Sequence, residues 1–432
     1  MDKRNIKYSR HHFFLLLGMF CLTSVWSQPA ISLSLTEAYK MARDQYPLLG
    51  NHPLLQKANE LQLENIDRSK LPSVHWKADA TLQSEVVAFP DGEMAPINID
   101  LPLYNLKTYA EAQYQIYDGG SIETQKAVAR QQLAADQQSL EVDAYQVHEQ
   151  VNRYFFGVLL LREQVGLLNV TLKDLEEKKS NLEAGVRHGA VLPSEVDKME
   201  VRQLEIMAER EQVQQDIRSY LSVLEELTGA AIDENANLTL PNLDTLRFDR
   251  PLNRPEQELF KRRKQALLAN EQLIDVHYRP RLHAFLNAGF GYPNPLNFFD
   301  NSVAPYAIGG LSFNWNFVDW GKKDRDRQLL SMQAQIIDNQ QLTFEHQMNL
   351  TKEKYRKDVV KLENRITRDQ EIADLQSQIL LQLSSQLENG VITVTDYLTQ
   401  VNAELSARQQ LELHRVQLQQ VKIDYLTQRG AL

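Results

Sequence analysis

The stretch LAADQQSLEVDAYQVHEQVNRYFFGVLLLREQVGLL, residues 133–168, decides how this chain is read. Leu133, Leu140, Val147, Tyr154, Leu161 and Leu168 recur every seven residues, and Leu175 and Leu182 continue the series. Ala144, Val151, Val158, Val165, Leu172 and Val186 follow at an offset of four. Apolar residues at this double spacing form a heptad seam, which a helix buries against a partner. No Pro occurs between Gly120 and Gly185, and only Gly157 and Gly166 interrupt. About 65 residues at 1.5 Å each predict a rod of roughly 100 Å.

Outward from the rod, the sequence repeats with a period of roughly 200 residues. Tyr46-Pro47 precedes Pro72 as Arg254-Pro255 precedes Pro280. After each second Pro come an alternating segment, a loop and another alternating segment, ending at Tyr117-Asp118-Gly119-Gly120 or Val318-Asp319-Trp320-Gly321. Both copies then turn helical and break at Leu182-Glu183-Ala184-Gly185-Val186 and Leu387-Glu388-Asn389-Gly390-Val391. They resume at Ser194-Glu195-Val196 and Thr395-Asp396-Tyr397 and stop at Gly229 and Gly430. On this reading the first tip is longer by the insert around Arg187–Pro193. In the second rod Met348, Tyr355 and Leu362 face Val359, Ile366, Ala373, Leu380 and Leu387, while Asp369 and Gln376 fall where the stripe should be apolar, which predicts a wetter seam. The helices after each tip are half as long as the rods, so other segments or subunits must cover the remainder.

The alternating segments set the environment. Val74, Trp76, Ala78, Ala80 and Leu82 oppose His75, Lys77, Asp79, Thr81 and Gln83; Ala110, Ala112, Tyr114 and Ile116 oppose Glu111, Gln113 and Gln115. Leu282, Ala284, Leu286, Ala288, Phe290 and Tyr292 oppose Arg281, His283 and Asn287; Leu311, Phe313, Trp315 and Phe317 oppose Ser312, Asn314 and Asn316. Four such strands fit either a transmembrane barrel or a half-buried soluble sheet. Two further features favour the outer membrane. Lys3, Arg4, Lys7 and Arg10 precede an apolar run from Phe13 to Val25 and the small Ser27, an export signal spanning residues 1–27. The single cysteine, Cys21, lies inside it. Four strands cannot close a barrel, and twelve is the smallest multiple wide enough for a water-filled lumen, so the chain is expected to associate.

Other chemistries find little support. The net charge of −10 gives no basic footprint for nucleic acid. The mature chain has no thiol, and its histidines are scattered away from metal-ligand spacing. Gly289-Phe290-Gly291-Tyr292-Pro293 lacks a phosphate-loop pattern. Asp324 and Asp326 alternate with Lys322, Lys323, Arg325 and Arg327 as a solvated junction does. No enzyme, cofactor or metal site is expected.

In the order, spacing and duplication of these features the chain resembles the TolC-like outer-membrane efflux proteins. The resemblance runs from Leu35-Thr36-Glu37-Ala38 and Tyr46-Pro47, through both strand pairs and the Asp118-Gly119-Gly120 and Asp319-Trp320-Gly321 junctions, to Gly430. It implies an α+β membrane protein, residues 28–432 forming a single domain of two repeats, about 36–229 and 247–430. Long antiparallel coiled-coil helices would carry four transmembrane strands per chain, completing a twelve-stranded barrel in a homotrimer. It implies a passive duct from the outer membrane of a Gram-negative bacterium into the periplasm, docked to a periplasmic adaptor and served by an inner-membrane pump. Trp76, Tyr114, Phe290, Trp315 and Phe317 would face lipid; Gly185, Val186, Gly390 and Val391 would form adaptor-contact tips. Asp396 matches the first of two acidic rings that close the tunnel in some members, with Glu195 as its repeat counterpart. Thr399 stands at the second ring and Ile392 at the tethering Arg, which puts the gate's tightness in doubt. Both acidic residues also read as helix-start residues favoured by the dipole. The rival reading is a periplasmic coiled-coil adaptor, which should have one helical hairpin flanked by compact β domains.

Overall fold

The structure is a computed structural model that describes residues 32–86, 101–243, 246–297 and 299–432. The expected export signal and its cleavage lie outside the described residues. A short strand β1 (Ser32–Ser34) leads into α1 (Leu35–Gln45). Ser34 starts that helix: its hydroxyl accepts from the Glu37 amide while the Glu37 carboxylate accepts from the Ser34 amide. A tight 3-10 turn follows at Pro47–Gly50, then α2 (Asn51–Arg68), the hairpin β2 (Ser73–Leu82) and β3 (Tyr104–Tyr117), α3 (Ser121–Tyr145), α4 (Val147–Arg187) and α5 (Pro193–Thr228). The second half runs β4 (Asn237–Thr239), α6 (Pro255–His277), β5 (Arg281–Tyr292), β6 (Ala304–Asn314), α7 (Lys322–Glu388) and α8 (Val394–Arg429).

Both expected rods are present. α7 runs 67 residues unbroken, about 100 Å at 1.5 Å per residue. The first rod is instead interrupted at one residue, Gln146, which keeps right-handed helical dihedrals of φ −65° and ψ −20° and splits it into α3 and α4. Within the chain α5 packs along α4 and α8 along α7, while α2 and α6 flank α3 and α6 reaches the sheet-proximal part of α7, whose Leu329, Met332 and Ile336 stay exposed. Two cores result. One joins Leu35, Ala38 and Tyr39 of α1 to Val151, Phe155, Phe156 and Val158 of α4 and Leu221 and Leu224 of α5. The other, toward the tips, joins Leu168, Leu175, Met199 and Ile206 of the first hairpin to Tyr397, Val401 and Leu405 of the second. β1 pairs in parallel with β4, a clasp the sequence did not announce.

The four long strands form one antiparallel sheet in the order β2-β3-β5-β6. Register puts Trp76, Ala110, Ala288 and Ala307 in one row across it, and Val74, Ala112, Leu286 and Gly309 in the next. Directly opposed residues share a face, so the apolar sets of all four strands make one continuous surface. Trp76, Tyr114 and Phe290 lie on it. His75, Lys77, Asp79, Lys107 and Glu111 occupy the other face, where Lys77 pairs with Glu111. Trp315 and Phe317 depart from expectation: β6 ends at Asn314, so neither belongs to a strand here. The Trp315 indole N–H donates to the Tyr278 carbonyl at 3.2 Å.

Candidate functional site

The end of the molecule remote from the sheet is built by two helical turns of the same design. α4 ends at Arg187, and Gly189 takes φ +74°; α7 ends at Glu388, and Gly390 takes φ +68°. A left-handed residue just past a helix end lets the chain fold back onto the last carbonyls. Accordingly, Ala190 N donates to Gly185 O at 2.9 Å and Val391 N to Gln386 O at 2.8 Å. Gly189 and Gly390 are 201 positions apart, as are Asp118 and Asp319, and Gly229 and Gly430. From the strand-to-helix junction to its end the repeat therefore keeps one offset, and the first tip carries no insert. The correspondence between the tips shifts accordingly: Gly189 and Ala190 are the counterparts of Gly390 and Val391, while Gly185 and Val186 stand in the last turn of α4. Gly185 is needed for space, since a Cβ there would stand 2.6 Å from Val191 Cγ2.

Beyond the tips, Asp396 and Glu195 occupy matching first turns but different settings. Thr393 is the N-cap of α8, and Asp396 is its third helical residue in a reciprocal capping box. The Asp396 carboxylate accepts from the Thr393 hydroxyl at 2.7 Å and from its amide at 3.1 Å, while Asp396 N donates back to the hydroxyl at 3.2 Å. Those bonds hold the Asp396 carboxyl below its ordinary range, so an exposed negative charge persists there. Glu195 is instead paired to Lys198 at 2.8 Å. The Thr399 hydroxyl turns back to the Thr395 carbonyl at 2.8 Å. An open groove of about 630 Å³ runs between the first turns of α5 and α8, lined by Lys198, Arg202, Thr395, Leu398 and Thr399.

Two ties between the hairpins, which the sequence did not announce, hold this region together. Tyr397 is fully buried and donates to Asp174 of α4, and Lys178 reaches Glu388 at 2.6 Å, so the second hairpin is fastened to the first. Within the second hairpin the expected wet seam is real, and its polar groups are matched. Buried Asp369 pairs with His414, and Gln376 accepts from Gln400 at 2.6 Å. Ser377 donates to Glu404, which also pairs with Arg408. At the same positions of the first hairpin stand Leu168, Val213, Leu175 and Met199, with Leu168, Leu175 and Met199 buried in its core.

Midway along the molecule lies a buried polar cluster. Tyr39 donates to Asn152, which donates to Asp424 at 2.8 Å, and Tyr145 donates to the Thr427 carbonyl at 2.7 Å. Burial raises the Asp424 carboxyl to about 6 against the donation from Asn152, with Glu149 adding repulsion. His148, its ring centroid 4.3 Å from that of Tyr39 and from that of Tyr145, is lowered to about 4 by burial and then by Arg254 and Arg43. No grouping of His, Cys, Asp and Glu suited to a metal ion exists among the described residues.

No family model matches the chain, and no curated protein matches it by sequence. Solved structures do. The outer-membrane protein VceC from Vibrio cholerae aligns over 92% of this chain and 96% of its own, at 15% identity and a TM-score of 0.59. The Campylobacter jejuni CmeC outer-membrane channel aligns over 99% and 94%, at 15% identity and a TM-score of 0.59. The Neisseria gonorrhoeae MtrE channel, in its open state, aligns over 94% and 93%, at 15% identity and a TM-score of 0.59. The chain thus shares the fold of TolC-like outer-membrane channels along nearly its whole length. Two hairpins and one open sheet also depart from the single hairpin and compact β domains of the adaptor reading.

Proposed function

We propose that this chain is the outer-membrane channel component of a tripartite export system. Three copies supply four strands each to a twelve-stranded barrel, and their six hairpins continue it as a passive duct across the periplasm. A periplasmic adaptor docks on the helical tips, and an inner-membrane pump supplies the energy, passing small molecules or polypeptides into the duct. One observation carries the reading: a sheet with an unbroken apolar face, unpaired at its β2 and β6 edges among the described residues, rooted in two matched 100 Å-scale hairpins. An apolar outer face and a charged inner face are what a water-filled barrel in lipid requires, and open edges require a partner. In this assembly Asp396 of the three copies rings the axis at the narrow end. The test is fractionation followed by planar-bilayer recording. The protein should stay with outer membranes through a high-salt wash and give discrete conductance steps once purified in detergent. Release by salt, with no conductance, would discard the channel.

A further inference from the structure

The edges of the sheet also say how one copy meets the next, an inference that rests on the shared barrel just proposed. Two offsets carry the first repeat onto the second: 201 positions from β3 to β6, and 208 from β2 to β5, as from Pro72 to Pro280. The hairpins obey both. Ala78 pairs with Thr108 in the first and Leu286 with Gly309 in the second, the same pair moved by the two offsets. The seam between the repeats, β3 against β5, is therefore a template for the seam that the chain leaves unfilled.

That missing seam has a visible trace. β3 spans 14 residues, and its last four, Tyr114–Tyr117, extend beyond the β2 pairing and lie against β5 alone. Their counterparts, Trp315–Val318, have no strand beside them among the described residues and are not strand. Trp315, Phe317 and Trp320 are 53%, 77% and 87% exposed, while Trp76 on the opposite edge is 72% exposed. Trp320 also holds a left-handed φ of 53°, which its counterpart Gly119 adopts freely. Gly119 sits against Arg279, where an added Cβ would lie 2.9 Å from Arg279 Cβ; the offset of 208 turns Arg279 into Leu71. On the helices the same flank is bare, since Ile336 is 56% exposed where its counterpart Ala135 is buried.

We infer that the β6 edge receives the β2 edge of a second copy, antiparallel and in the register of the β3–β5 seam. Leu311 then stands opposite the second copy's Ala80, Phe313 opposite its Ala78 and Trp315 opposite its Trp76, and Trp315–Val318 joins the strand. The apolar face continues across the join, and on the other face Ser312 meets the second copy's Asp79 and Asn314 its Lys77. The second copy's α2 lies along α7 as α6 lies along α3. The Trp320 indole packs near the second copy's Leu71 and holds it a little farther off than Arg279 stands from Gly119.

Cysteine pairs test the register in a Cys21→Ser background. Ser312→Cys with Asp79→Cys should give reducible dimer and trimer bands on mild oxidation, whereas Ser312→Cys with Lys77→Cys, a slip of two residues, should give none. The two positions in one chain lie on the outermost of four strands, about 14 Å apart at ~4.8 Å per strand, beyond disulfide reach. Leu311→Cys with Ala80→Cys repeats the test on the apolar face, independently of the charge lost at Asp79. Linkage by the slipped pair, or by neither aligned pair, in protein whose native mass is that of three chains overturns the register. A native mass of one chain would instead remove the proposed barrel itself, so the two failures are separable.

Discussion

His148 and Asp424 pull stability in opposite directions over one pH window. Asp424 titrates at about 6 in the folded chain, above the ordinary 3.8, so its contribution is favourable at low pH and declines as pH rises from about 4 to 6. His148 titrates at about 4, below the ordinary 6.5, so its contribution is present above 6.5 and is lost as pH falls toward 4. Asp424→Asn should therefore raise thermal stability above pH 6, by about 3 kcal/mol for a shift of some two units, with the gain vanishing near pH 4. His148→Phe should be neutral at pH 7 and progressively stabilising toward pH 4; melting curves of each variant against the parent check both. At the tips, Thr393→Ala removes the N-cap and should cost about 1 kcal/mol. Asp396→Asn removes charge from the proposed ring, and single-channel reversal potentials should show a reduced preference for cations. Unchanged selectivity would leave Asp396 as a capping residue alone.

Among the elements, the α7–α8 seam differs most from its duplicate. Replacing both partners of a buried hydrogen bond by apolar residues is often neutral or stabilising, whereas removing one partner strands the other. The first hairpin supplies the replacement, because Leu168 and Val213 occupy the places of Asp369 and His414. Asp369→Leu with His414→Val should match or exceed the parent in melting temperature, while Asp369→Leu alone should lose about 1–3 kcal/mol. How much of this was legible depends on what a repeat preserves. Heptads and two-residue alternation survive in one dimension, so the rods, the four strands and the polar face could be read from residues such as Leu161 and Lys77. Asp369 and Gln376 were visible as breaks in the stripe, but His414 and Gln400 became their partners only once α8 had a register against α7. In sequence Gly185 resembles Gly390 in its neighbours, so the true counterpart, Gly189, emerges only from the backbone. Gly185 is a helical residue making room for Val191, and Gly189 takes the positive φ.

For the whole molecule, the proposal requires three chains. Native mass measurement in detergent should give one species of trimer mass, and a stable monomer would remove the pore. The fold of the outer-membrane channels found here at 13–15% identity persists because it needs the periodicities and few particular side chains.

The unvarying offset of 201 positions that carries residues 118–229 onto 319–430 has a mechanical consequence. Each hairpin is a gauge for the other: the Tyr397–Asp174 and Lys178–Glu388 ties meet only if both reach the same depth below the sheet. Excising one heptad from α4 and its facing heptad from α5 would raise that tip by roughly 10 Å and leave the rim uneven. The same excision made also in α7 and α8 would restore a level rim on a shorter tube. Cross-linking of Asp174→Cys to Tyr397→Cys by a short bis-maleimide, long enough to replace the tyrosine ring, should then fail in the one-sided deletion and return in the matched one. Natural length changes in such a chain should accordingly arrive in pairs.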